Sequence, residues 1–107
     1  MIVVTTPDVP GMRVVATLGL VRGNTIRTRH IGRDIMAALR NIAGGEIREY
    51  TKMMAEAREQ SIDRMVEEAE SLGADAVVMV RFQTAEMMQG AAEMLCYGTA
   101  VKLVPQE

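Results

Sequence analysis

The sequence predicts an α+β subunit, an antiparallel sheet packed by one long and one short helix, and three observations carry that expectation. A single amphipathic stretch about seven turns long ends at Leu72-Gly73. An apolar run, Ala76-Val77-Val78-Met79-Val80, follows that end, and a β-rich segment from Glu93 to Val104 answers it. Two further β-rich stretches precede the helical part, so strands and helices are segregated rather than alternating. Strands on both sides of the helical part suit an α+β layer.

Taken in order, Met1 to Thr5 reads as a short strand closed by Thr6-Pro7-Asp8, with Pro10-Gly11 as a second turn signal. Arg13 to Arg22 is a strand rich in β-branched residues and Leu, with Gly19 inside it, where a bulge or a close backbone approach is expected. Gly23-Asn24 is read as a turn and Thr25 to Arg29 as a half-exposed strand. Gly32-Arg33-Asp34 opens a short helix with Ile35, Leu39 and Ile42 on one side, and Gly44-Gly45 ends it. The main helix is expected from about Glu46 to Leu72. Ile47, Tyr50, Met54, Ala57, Ser61, Met65, Ala69 and Leu72 recur at steps of three or four and therefore share a face. Arg48, Glu49, Lys52, Glu56, Glu59, Asp63, Glu67 and Glu70 cover the opposite one. Gly73 stands where a left-handed C-cap belongs. Ala76 to about Ala85 begins as a strand buried on both faces would. Thr84 to Glu93 is expected to be a long or frayed hairpin connection through Gly90, and Pro105 stops the returning strand.

The 107 residues make one domain, 1–107, with no linker or internal repeat. Twelve basic against 14 acidic residues give no excess of positive charge for nucleic acid or an anionic membrane surface. Three aromatic residues, Tyr50, Phe82 and Tyr97, supply few core anchors and no stacking platform. Ten methionines take up part of that filling role. Cys96 is the sole cysteine, so no intrachain disulfide forms and a reduced, cytoplasmic setting is expected. The N-terminus lacks the basic and apolar regions of a signal peptide, and no apolar run is long enough for a membrane helix.

Candidate chemistry is sparse. His30 and Cys96 are single residues of their kinds, so a closed zinc site, which needs four N/S ligands, cannot come from one chain. Copies of His30 and Cys96 meeting around a symmetry axis would provide one route to a metal. A soft Cu(I) cluster of Met87, Met88, Met94 and Cys96 would provide another. The plainer reading makes these residues packing groups of the core or of a subunit contact. One histidine and no nucleophile-elbow pattern leave no catalytic triad. Glu67-Glu68 belong to the solvated helix face. Gly44-Gly45 lacks the Lys-Ser/Thr of a phosphate loop and reads first as a tight turn. Arg27, Arg29 and Arg33, with Arg22 and His30, form a basic run suited to an anionic ligand or to the acidic helix of a neighbouring copy.

Gly44-Gly45, Tyr50, Arg58, Met65, the Leu72-Gly73-Ala74-Asp75-Ala76-Val77 junction, Arg81-Phe82 and Tyr97-Gly98-Thr99-Ala100-Val101 together resemble the YbjQ-like family over nearly the whole chain. That family carries a heavy-metal-binding label and no settled biochemical role. The resemblance implies a dodecin-like subunit assembled as a cyclic homo-oligomer, a pentamer; the bound group is unknown, a heavy-metal ion being what the family's label names, and no ligand motif comes with it. The residues alone agree on self-association. The long helical stripe is more than so small a sheet can cover, and a closed ring would hide edge strands. The expectation is a non-enzymatic binding protein. Two alternatives stand beside it: an enzyme that gathers Arg27, Arg29 and Arg33 around a small anionic substrate at an interface cleft, and a purely structural scaffold.

Overall fold

The computed structural model describes residues 1–28, 44–88 and 91–107. Its elements are β1 (Ile2–Val3), β2 (Met12–Thr28), α1 (Gly44–Ser71), β3 (Ala76–Met88) and β4 (Ala91–Pro105). The predicted short helix after Gly32 and the turn at Gln89-Gly90 lie outside the described residues.

The strands form one sheet in the order β1-β3-β4-β2. The expected all-antiparallel sheet is corrected here: β2 and β3 run antiparallel to β4, but β1 pairs parallel with β3 through Ile2↔Ala76 and Val3↔Val77. Two further corrections concern lengths. Gly23-Asn24 does not turn the chain, because β2 continues through it for 17 residues. The segment from Thr84 to Glu93, expected as a long or frayed hairpin connection, is mostly regular strand, with β3 reaching Met88 and β4 starting at Ala91.

Gly19 does mark an irregularity, with φ 122° at a register shift between Thr17 and Gly19. A second bulge shapes β3. Val78 pairs with Thr99 and Arg81 with Tyr97, so Met79 and Val80 together face Gly98. Met79 is left-handed (φ 55°), a conformation that costs a non-glycine residue about 1–2 kcal/mol. The bulge sends two successive N–H groups outward, where Met79 donates to Thr6 O and Val80 to Val4 O, both at 3.0 Å. Those bonds hold the chain after β1 against the sheet.

Helix α1 ends as its sequence announces. Gly73 (φ 76°) donates to Glu70 O at 2.9 Å and Ala74 to Ala69 O at 3.1 Å, the paired bonds of a Schellman cap. Asp75 then clips the junction to β4: its N–H donates to Val101 O (2.9 Å), and its carboxylate accepts from Leu103 N–H (2.8 Å) and Lys102.

The sheet has a core on each face. On the helix side Val21, Val77, Val80, Cys96 and Ala100 pack with Met65 and Ala69 of α1. On the other side Ala76, Val78, Val101 and Leu103 pack under Val4, Val9 and Met12. This explains the continuous apolar start of β3, whose Val77 and Val78 serve opposite cores. Covering stops there. From Arg81 to Met88 every residue of β3 is exposed. The chain is long, 60 × 22 × 15 Å, with a radius of gyration of 17.8 Å against about 13 Å for a compact chain of this length.

Candidate functional site

Helix α1 lies on the sheet where strand residues are small. An added methyl at Gly23 would meet Ser61 O, Met65 N (2.5 Å) and Arg64 Cβ (2.8 Å), so the helix backbone rests directly on β2. Gly98 is similarly confined, with Val77 Cγ1 at 2.7 Å and Val78 O at 2.9 Å from such a methyl. Ser61 sits in the contact, fully buried, its hydroxyl donating to Arg58 O within the helix (2.8 Å).

Two polar or reactive groups flank this contact. Cys96, paired in register with Gly23, is fully buried, and its thiol lies 3.5 Å from Met65 Sδ. Burial pushes the thiol up to about 11, so it stays protonated near neutrality. Further along β2, Thr25 is buried and Arg27 half-buried. Arg27 Nη2 donates to Gln60 Oε1 at 2.8 Å, while Thr25 Oγ1 and Arg27 Nε are shielded from solvent with no partner among the described residues. Arg64 reaches round the strand and donates to Asn24 O.

The sequence-derived candidates are therefore placed unevenly. Cys96 and Arg27 share the helix-facing side of the sheet, but Arg27 is four residues beyond the partner of Cys96, about 13 Å along the strand. They do not form one site within the chain. Met94 lies on the same side of β4 as Cys96, whereas Met87 and Met88 are exposed at the far end of β3. His30, Arg29 and Arg33 lie outside the described residues. Gly44-Gly45 are the first two residues of α1.

The Cys96–Met65 pair fits a metal poorly. It offers two donors, and α1 seals it from above, so copies of Cys96 do not reach one another while the helix stays on the sheet. No group of three or more His, Cys, Asp or Glu residues is poised to hold a metal among the described residues. Arg27, the one described member of the basic run's anion candidates, is already committed to Gln60. Sequence reasoning missed Gln60 and Met65 as the partners of these two residues. It also missed Gly23 as the helix seat, although a glycine inside a β-rich run is the signal for such an approach.

The architecture, a four-stranded mixed sheet with one long helix on it, is shared with a solved structure. That is the crystal structure of a protein of unknown function from the DUF74 family of Pediococcus pentosaceus, which superposes with a TM-score of 0.66 at 15% identity, covering 97% of this chain and 98% of that one. The likeness is one of fold. Sequence takes the assignment further: residues 1–104 match the YbjQ family, described as "Putative heavy-metal-binding", and the chain belongs to that family. Its relatives include a UPF0145 protein of Methanosarcina acetivorans, 57% identical over 104 residues (97% of this chain, 98% of the relative). A UPF0145 protein of Thermosipho melanesiensis is 53% identical over 107 residues (100% and 99%). These names assign no reaction. No described helix is long and apolar enough to cross a membrane.

Proposed function

We propose that this chain acts as a non-enzymatic, cytoplasmic homo-oligomer, a pentameric ring, that binds a heavy-metal ion or a small ligand where subunits meet. The observation that carries the reading is uncovered surface. The protomer exposes 7162 Å², where a compact monomer of 11.7 kDa exposes about 5,900 Å². The excess is of the order that a standard interface takes from one partner, about 800 Å², or somewhat more. Large apolar side chains lie on that surface, among them Leu20, Ile26, Phe82, Met87 and Met88. Since the sulfur pair of one protomer does not suit a metal, the metal-binding reading rests on His30, with copies brought together by symmetry. Arg27, Arg29 and Arg33 are the corresponding groups for an anionic ligand.

Native mass spectrometry with and without Cu(I), Zn²⁺ and Ni²⁺ tests this reading. The expected result is a ring with a fixed metal stoichiometry that is lost in His30→Ala and kept in Cys96→Ala. A ring that ignores all three ions removes the metal and leaves the small-ligand form of the reading. A monomer removes both.

A further inference from the structure

Eight of the eleven exposed large apolar residues among those described lie on two strands, Met1, Ile2 and Leu72 being the other three. The central strand β4 has none; Val14, Val15, Leu20 and Ile26 lie on β2, and Met79, Phe82, Met87 and Met88 on β3. These two strands hold the long open edges of the sheet among the described residues. β2 has β4 on one side only, and β3 loses its outer neighbour after Val80. Sheet edges that face water are usually blunted by lysine, proline or very short strands. Here β2 runs 17 residues and β3 13, and neither contains a lysine or a proline.

The backbone groups available on each edge follow from the bonds already made. Val80 N–H points outward to Val4, so the strand period of two turns the N–H and C=O of Phe82 and Thr84 outward as well. Asn24 O is taken from outside by Arg64, which places Arg22 and Ile26 on the outer side of β2 by the same alternation.

We infer that the outer edge of β3, from Arg81 to Met88, pairs with the outer edge of β2 in a second copy of this chain, so that the sheet continues from subunit to subunit. The inference rests on the proposed homo-oligomer and specifies its contact. Three observations select this occupant and this pairing. Both edges belong to one chain and stand on opposite sides of one sheet, so a contact between unlike edges leaves each copy with one of each edge to offer, and it repeats until it closes. Pairing β2 with β2 would oppose strands that each carry three arginines (Arg13, Arg22, Arg27) and no acid. Pairing β3 with β3 would leave the longer edge, with Leu20 and Ile26, uncovered.

Proline at an outward-facing N–H blocks an edge without removing a bond inside the protomer. Thr84→Pro closes the β3 edge and Arg22→Pro the β2 edge. Each variant alone is expected at the chain mass of 11.7 kDa by native mass spectrometry, with the far-UV circular dichroism of the wild type. Mixed, they retain one good edge each and form a one-to-one dimer that grows no further. Phe82→Lys and Leu20→Lys repeat the experiment through side chains, in case proline disturbs the strand. A folded single variant that keeps the wild-type mass, a variant that dimerises with itself, or folded variants that fail to combine overturns the edge pairing but not the oligomer. A monomeric wild type overturns both.

Discussion

Replacing Gly23 by alanine should be among the most damaging single-methyl changes in this protein. The new Cβ would lie 2.5 Å from Met65 N and 2.8 Å from Arg64 Cβ, and it would overlap Ser61 O. Carbon contacts are optimal at about 3.5–4.0 Å, so α1 must retreat by roughly 1 Å. Two of the three obstructing atoms are helix backbone, so no rotamer change relieves them. A gap of that size under Ala57, Met65 and Ala69 forfeits up to about half of the dispersion at each contact. Overpacking a core costs about 1–3 kcal/mol, and this site belongs at the upper end. The lower entropy of the unfolded alanine chain returns about 0.4–1 kcal/mol. The net expectation is a loss of about 2–3 kcal/mol, or a fall in Tm of roughly 10 °C for a chain of this size. Circular dichroism melting at matched protein concentration reads it. Gly11→Ala serves as the control, because Gly11 has φ 80° and nothing within 4 Å of the added methyl, leaving backbone strain of about 1 kcal/mol alone. If Gly23→Ala proves no worse than Gly11→Ala, the helix does not rest on β2 as described.

Other outcomes follow from the same geometry. Gly98→Ala should cost about 1–3 kcal/mol in urea unfolding, less than Gly23→Ala because two of the three atoms it meets are valine methyls; a neutral result would argue against the Met79 bulge. Cys96 should resist iodoacetamide at pH 8 in the native protein and react fully once unfolded, since burial holds the thiol up at about 11; rapid native labelling would contradict its position under α1. Thr25→Val removes a buried hydroxyl without a partner among the described residues and should stabilise by about 1 kcal/mol in the same unfolding assay, whereas a comparable loss would mean the hydroxyl is bonded. Leu103 N–H, and then Lys102, hold the Asp75 carboxyl below its ordinary 3.8 in the folded state. That stability is present above 3.8 and lost as pH falls through the lower folded value, so the wild type's advantage over Asp75→Asn should shrink in acid melts. An advantage that grew on acidification would reverse the assignment.

Much of this fold is legible in the residues. The helix stripe at Ala57, Ser61, Met65 and Ala69, the Gly73 cap and the doubly buried start of β3 are local patterns, set by periods of 3.6 and 2 and by one left-handed glycine. What escaped depends on long-range contact. Gly23-Asn24 has the composition of a turn, and only the helix resting on Gly23 explains why a strand runs through it. The parallel partner of β1 is fixed by outward N–H groups at a bulge more than 70 residues away, which no local pattern encodes. Gln60 and Met65 become partners of Arg27 and Cys96 only once α1 crosses the sheet. The candidate site was less legible than the fold, because single histidine and cysteine residues say nothing of where copies of the chain would bring them.

Interface binding and edge pairing both require copies of the chain to associate, and sedimentation equilibrium of the wild-type protein reads that association. One species at a fixed multiple of 11.7 kDa that persists on dilution is expected. A species at 11.7 kDa across the whole concentration range would contradict it, and the open edges and exposed apolar strands would then need another occupant.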